Sequence, residues 1–427
     1  MNAKTFKERL LENVRLRLSK EQNTDDKAAM EIIISEAFND NDSESLSNEE
    51  LDSIIQKVFL ITRKRLGILD PLLQDNDVTE IMVNGPDKVF VERKGKIEKY
   101  SFSFDSVHEL EEVIRNIASD VHREINEMNP IVDARLKDGS RVNAVFKNIA
   151  FGGPSLTIRK FSEDHMTLND LIENDTLDKR TAEFLKILTE SGYNIFVSGG
   201  TSSGKTTLLN AISECIPSQE RVIVIEDSLE LKLAKIENIV RLECRNANSG
   251  GLGRITMSDL IRSSLRMRPN RIIVGEVRGP EVLDMLNAMN TGHSGSMSTG
   301  HGNSVKGMLR RLESMYMMAV PLDIMAIRSQ IAEGIDIMIH LEKLENGQRK
   351  IVDISEITGL DNGDFSINTI AKLESGHLKT IGRLADVTKL RLHSREDDYD
   401  RLQFMDNGQK PKDQGLFHNT ALIVYNR

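Results

Sequence analysis

A chain of 427 residues exceeds one typical domain, and a 39% hydrophobic share suffices for ordinary cores, so two or three domains are expected. The formal net charge of -10, no tryptophan and 4% aromatics count against a surface built to neutralise phosphates or stack bases, so no direct nucleic-acid partner is expected. Two cysteines exclude a disulfide framework, the opening "MNAKTFKERLLENVRLRLSK" lacks a signal peptide's apolar stretch, and no run nears the roughly 20 apolar residues that cross a bilayer. A cytoplasmic setting with no transmembrane segment is the expectation.

Residues 1–66 read as a helical N-terminal extension interrupted by a flexible link, "FNDNDSESLSNEE". Ser47 three residues before Glu50 predicts a capping box, and Leu51, Ile54, Ile55, Val58 and Phe59 then recur at helical spacing. Residues 67–161 read as a small α+β domain. In it, Asp138-Gly139 stands between two alternating runs as a hairpin turn, and "DSVHELEEVIRNIASDV" has helical spacing. Residues 162–360 alternate strands and helices as an α/β core does. "YNIFVSG", "RVIVIED" and "NRIIVGE" are short Ile/Val runs without polar alternation, expected of parallel strands buried on both faces, and each ends in residues capable of chemistry. "DIMIHLEKLENGQRKIVDISEITG" predicts a hairpin turning at Asn346-Gly347. Residues 361–427 read as a polar, weakly patterned tail.

The first strand runs into "GGTSSGKTT", which matches G-x-x-x-x-G-K-[ST] from Gly199 to Thr206. Backbone N–H groups of Gly199, Gly200, Thr201, Ser202, Ser203 and Gly204 would converge on phosphate oxygens. Lys205 would bring a point charge to the β/γ-phosphates and Thr206 a hydroxyl to Mg²⁺, with Thr207 on the helix that aims its positive end at the same group. "IEDSLE" supplies Glu226, Asp227 and Glu230 at the second strand end, and "IIVGEVRG" supplies Glu276 at the third; such carboxylates hold the hydration shell of Mg²⁺ or orient a water. His293 and His301 lie in a Gly/Ser-rich segment without metal-ligand spacing; they are two surface histidines or a pair on one side of a loop near the γ-phosphate. Arg135, Arg141 and Arg159 in the small domain either face solvent or reach phosphates as arginine fingers do. Arg262, Arg266, Arg268 and Arg271 read as a further basic cluster on a helix entering the third strand.

Taken in order, "GGTSSGKTTLLN", "VIVIEDSLEL" and "LRMRPNRIIVGEVRGPEVLDMLNAMNTGHSGSMSTGHGNS" resemble the Walker A, Asp box, Walker B and His box of the type II/type IV secretion ATPase superfamily. "LLQDNDVTEIMVNGPDKVFVERKGKIE" and "PIVDARLKDGSRVNAVFKNIAFGGPSLTIRKF" narrow the resemblance to the tight-adherence (Tad) pilus assembly branch, over about Ile68 to Thr358. The resemblance implies a RecA-like P-loop core preceded by a smaller α+β domain, a homo-hexameric ring, and ATP with Mg²⁺ as cofactors. It also implies a cytoplasmic motor acting on inner-membrane platform proteins of a pilus or secretion machine. It assigns the Walker A roles to Lys205 and Thr206, the Walker B role near Mg²⁺, through water, to Glu276, the water-positioning role to Glu230, and the second His-box position to His301. Arg135, Arg141 and Arg159 fall in the family's arginine-bearing stretch. Two departures stand out: Gly302 where the family has alanine, which predicts a more mobile loop, and Ser228 where it has proline, which relaxes the backbone before Glu230. Rival readings are a nucleic-acid-translocating or DNA-transfer motor and a nucleotide-sensing scaffold.

Overall fold

The computed structural model describes residues 3–21, 24–93, 95–121, 123–161, 166–247 and 251–404. The chain divides into two units, Met1–Asp164 with Ala247–Gly253, and His165–Asn246 with Arg254–Arg427.

The first unit opens with α1 (Ala3–Leu18), α2 (Asp26–Asn39) and α3 (Asn48–Arg63), which bury Phe6, Leu10, Val14, Ile33, Leu51, Ile55 and Val58 against one another. The capping box forms: the Glu50 N–H donates to Ser47 Oγ, and the Ser47 N–H donates back to the Glu50 carboxylate. The link before it carries regular structure and anchoring contacts. Asn41–Ser45 form a short 3-10 helix, and Arg9 donates to Asp40 at 2.7 and 2.6 Å and to Asp42 at 2.5 Å. A polar run looks loose in sequence because the arginine that fixes it lies on another helix.

After α4 (Asp70–Gln74) comes an antiparallel six-stranded sheet of β1 (Val78–Asn84), β2 (Val89–Arg93), β3 (Lys96–Lys99), β4 (Ile131–Arg135), β5 (Arg141–Val145) and β6 (Ser155–Arg159), in the order β3-β2-β1-β6-β5-β4. The amphipathic α5 (Val107–Asp120) packs Leu110, Ile114 and Ile117 into one core with Ile81, Val83, Leu156 and Ile158. Gly139, at φ +91°, makes the β4–β5 turn that Asp138-Gly139 predicts.

The second unit begins with α6 (Leu168–Glu173) and α7 (Lys179–Glu190). Its three Ile/Val runs become β7 (Ile195–Gly199), β8 (Val222–Glu226) and β10 (Arg271–Val274), all parallel and buried at every position. With β9 (Ile239–Glu243), β11 (Met297–His301), β12 (Ile337–Lys343), β13 (Arg349–Asp361), β14 (Asp364–Glu374) and β15 (His377–Thr380) they form a nine-stranded sheet ordered β15-β14-β13-β12-β7-β11-β10-β8-β9. From β12 to β9 the pairing is parallel; β13, β14 and β15 add on antiparallel. One face packs α7 and α8 (Lys205–Ser213) through Leu185, Leu188, Leu208 and Ile212. The other packs α9 (Met257–Ser264), α10 (Val282–Asn290), α11 (Val305–Ala319) and α12 (Ile324–Gly334) through Ile261, Leu286, Leu309 and Ile327. Because β7, β8, β10 and β11 run parallel, their carboxyl ends share one edge of the sheet, where ligands of α/β folds sit.

The stretch after residue 360 is not a polar tail as far as Phe404. Strands β14 and β15 widen the sheet, and α13 (Thr388–Leu392) and α14 (Glu396–Phe404) place Leu390 and Tyr399 in the apolar layer. The buried Glu356 carboxylate accepts from the Ala385 and Asp386 N–H groups at 2.7 and 2.9 Å, and the Tyr193 hydroxyl donates to the Asp386 carbonyl. These anchors come from β13 and from the turn after α7, so the segment's own periodicity does not reveal them. Residues 405–427 of that predicted tail lie outside the described residues.

Candidate active site

The loop from Gly199 to Lys205 joins the fully buried β7 to α8. Ser202, at φ +57°, and Gly204, at φ +96°, curl it through left-handed backbone. Close approach explains Gly199: a Cβ there would stand 2.5 Å from both the Leu341 carbonyl oxygen and Ser203 Oγ. Gly200 has open space beside it. The Ser203 hydroxyl is buried and donates to the Gly200 carbonyl, Thr201 is exposed, and Thr206 and Thr207 are half-buried on the first turn of α8. No side chain caps that helix at Gly204, which leaves its N-terminal N–H groups facing the loop, an arrangement suited to an anion.

Lys205 is 7% exposed, and its Nζ donates to the Gly200 carbonyl at 2.8 Å and faces His301 Nδ1 at 3.3 Å. Its partner on the far side of the ring is Glu276: His301 Nε2 lies 2.9 Å from Oε1. Arg278 donates to Oε2 from Nε and NH2 at 3.1 and 2.6 Å and stands 3.8 Å from Asp227. Burial first lowers the lysine and histidine pKa values, with Glu276 pulling both upward; the hydrogen bond to Glu276 first raises that of Arg278. A neutral His301 that accepts from Lys205 at Nδ1 carries its proton at Nε2, close to Glu276 Oε1 but not hydrogen-bonded to it.

Glu226 holds the second strand end. It is buried, its Oε1 accepts from the Glu230 and Leu231 N–H groups at 2.9 and 3.1 Å, and Gly275 is a glycine because a Cβ would lie 2.9 Å from Glu226 Cγ. The backbone before Glu230 is therefore pinned despite Ser228. The Glu230 side chain is near enough to act electrostatically on Lys205 and Arg278. Gly302 likewise departs from the mobile-loop expectation. Its N–H donates to the Gly199 carbonyl at 3.3 Å, and a Cβ would meet Met308 Cβ and Sδ at 3.0 Å, so a side chain there would require Met308 to give way by a few tenths of an ångström.

Other predicted groupings separate. His293 Nδ1 lies 3.2 Å from the Ala288 carbonyl at the C-terminus of α10, before β11, whereas His301 ends β11; an intervening strand, not a loop, holds them apart. Arg262 pairs with Asp284, and Arg271 is buried in β10 with Glu220 and the Thr189 carbonyl, so these two members of the basic run are taken up in separate ion pairs; α9 ends at Ser264 and carries Arg262 alone. Within the first unit, Arg135, Arg141 and Arg159 stand directly opposite one another on β4, β5 and β6, with Glu80 of β1 next in the row. Arg135 also donates to the Gly139 carbonyl and stacks on Phe161.

Sequence reasoning missed Arg278, two residues beyond Glu276, and Arg349, whose Nε donates to the Ser202 carbonyl at 2.9 Å. Adjacency to Glu276 could have flagged the first; nothing in the sequence links residue 349 to the loop.

Mg²⁺ fits the donor set. Among the described residues Glu276 Oε1 is a buried oxygen without a hydrogen-bond partner, His301 Nε2 being out of line for one, and Thr206 supplies a hydroxyl. Both are the hard oxygens this cation and its waters take.

The sequence model described as "Type II/IV secretion system protein" matches residues 62–365, from within α3 to the start of β14. The chain belongs to the type II/IV secretion system protein family. An uncharacterised relative in Methanocaldococcus jannaschii is 43% identical over 256 residues, 58% of this chain and 35% of its own length, so the chain spans about a third of that protein. A putative conjugal transfer protein of Mycobacterium tuberculosis is 32% identical over 76% of this chain and 93% of its own. The type IV secretion system protein PtlH of Bordetella pertussis is 34% identical over 69% and 95%. Among solved structures, the pilus retraction motor PilT with bound ADP is 20% identical, covering 81% of this chain and 89% of that one with a TM-score of 0.52, a likeness of fold. The family member described here thus has a RecA-like P-loop core with a smaller α+β domain before it.

Proposed function

We propose that this family member is a Mg-dependent ATPase motor of the Tad pilus assembly branch, working as a hexamer. ATP hydrolysis would power pilus assembly or disassembly, or protein secretion, through inner-membrane platform proteins at the cytoplasmic face. The reading is carried by one observation: the Gly199–Thr207 loop, Glu276 and His301 meet at the shared carboxyl edge of β7, β10 and β11, with Glu226 and Glu230 at the end of β8 beside them. Gly199 to Thr207 bind the phosphates. Thr206 and, through water, Glu276 would hold Mg²⁺, which supplies charge neutralisation of the phosphates when bound. Glu230 orients the attacking water, and His301 reports phosphate occupancy to Glu276. Arg135, Arg141 and Arg159 contribute charge to the developing phosphate. Among the described residues no helix is long and apolar enough to cross a membrane, which leaves the membrane contact to partners in this reading.

Mg-ATP turnover by the purified full chain tests it. Lys205→Ala and Glu276→Gln should each lower turnover at least about tenfold, since phosphoryl transfer rests on positioning and charge; unchanged turnover in both would show that the site is elsewhere. A second reading, a DNA-transfer motor, draws on relatives named conjugal transfer proteins. Hydrolysis stimulated by DNA with a steep salt dependence would favour it.

A further inference from the structure

The β12–β13 hairpin meets the phosphate loop at three places. The Leu341 carbonyl closes on Gly199, and Arg349 lays its stem against Gly204, with Cδ 3.3 Å from that residue's Cβ position, while donating to the Ser202 carbonyl. One step before the loop, Ser198 of β7 is paired in register with His340 of β12, and its Oγ lies 2.8 Å from His340 Nδ1. Both residues are buried on the face of the sheet that otherwise carries Phe196, Ile223, Ile225, Ile272, Val274 and Met338. The Ser198 hydroxyl and His340 Nδ1 satisfy each other, while His340 Nε2 is buried without a hydrogen-bond partner among the described residues. An aliphatic pair would pack there without the directional bond. His340 Nε2 faces Glu342 at 3.6 Å. Burial holds the imidazole pKa down, which suits an uncharged bond to a hydroxyl.

We infer that the β12–β13 hairpin is a clamp on the phosphate loop, with His340 and Arg349 as positioning residues that fix it through Ser198 before the loop and Ser202 within it. Ser202 is the loop's non-glycine residue in left-handed backbone, a conformation that persists only where neighbours enforce it. Arg349 supplies that restraint from β13, outside the loop itself. The inference concerns the loop's geometry and rests on the nucleotide reading for its consequence, tighter phosphate binding.

Two measurements on the full chain separate the two ideas: amide hydrogen exchange of residues 199–206 without nucleotide, and ADP affinity by calorimetry. His340→Phe and Arg349→Met should each speed loop exchange and weaken ADP binding by about 2- to 10-fold, the range one net hydrogen bond carries. Exchange in α11 should stay unchanged. His340→Gln, which keeps a hydrogen-bonding side chain, should recover most of the loss, and Ser198→Ala should reproduce His340→Phe with no further loss in the double variant. If His340→Phe fails to fold, Ser198→Ala and Arg349→Met decide. Faster loop exchange in a wild-type background that binds no ADP would uphold the clamp and sink the nucleotide reading. Wild-type ADP binding with loop exchange and affinity unmoved in the variants would overturn the clamp.

Discussion

Two adjacent glycines in the phosphate loop should respond oppositely to the same methyl group. In Gly199→Ala the new Cβ would sit 2.5 Å from a backbone carbonyl oxygen and 2.5 Å from Ser203 Oγ, while in Gly200→Ala it would meet nothing within 4 Å. Neither residue takes left-handed backbone, so space alone separates them. Relieving the first contact needs a shift of roughly 1 Å in β12 or the loop, and overpacking of that kind costs about 1–3 kcal/mol. The shorter list of unfolded conformers open to alanine returns about 0.4–1 kcal/mol to both variants. The net expectation is a loss of up to about 2.6 kcal/mol for Gly199→Ala, centred near about 1.3, and no loss or a small gain for Gly200→Ala. At about 2–4 °C per kcal/mol for a domain of this size, scanning calorimetry without nucleotide should show Tm lower by roughly 3–5 °C, and by no more than about 10 °C, in the first variant alone. Equal destabilisation in both, or none in Gly199→Ala, would refute the contact with β12 as the reason for glycine there.

Other outcomes follow from the same geometry. Arg271→Ala should destabilise by about 3–5 kcal/mol, because losing the 1% exposed guanidinium leaves Glu220 without its two bonds from it; a urea midpoint within error of wild type would contradict this. Under the proposed function, Arg159→Ala should lower ATP turnover at least about tenfold while nucleotide Kd moves less than about threefold, since a charge acting on the developing phosphate acts in the transition state. Equal losses in both constants would remove its catalytic role. The His340 pKa is held below its ordinary value of 6.5 mainly by burial, against upward pulls from Glu342 and Asp353, while Ser198 bonds its Nδ1. The unfolded chain therefore binds the proton first, so the stability from a neutral imidazole is whole above 6.5 and fades as pH falls through the lower folded value. Urea midpoints taken from about pH 7.5 down to about pH 5 should fall less steeply in His340→Gln than in wild type; parallel slopes would show that this histidine does not titrate in that window.

Local order carries most of what the sequence determined. The capping box at Ser47, the Asp138-Gly139 and Asn346-Gly347 turns, and three Ile/Val strands buried on both faces are all fixed by neighbours within a few residues. The phosphate loop belongs here too, since its shape follows from glycines and a short spacing. Tertiary structure decided whatever depended on a partner far along the chain. Arg9 turned a polar link into an anchored turn, and Glu356 and Tyr193 tied down a segment that looks like a tail. Burial beside Glu220 turned one member of a basic cluster into core, and β11 carried His293 to the opposite end from His301. The site divides the same way. Lys205 was singled out from the loop spacing and Glu276 from its place just beyond an Ile/Val strand, whereas His301 was read in a loop and entered the site only through the family resemblance; Arg278, His340 and Arg349 are placed only by packing, and a hydrogen bond between strands 142 residues apart leaves no periodic trace in either one.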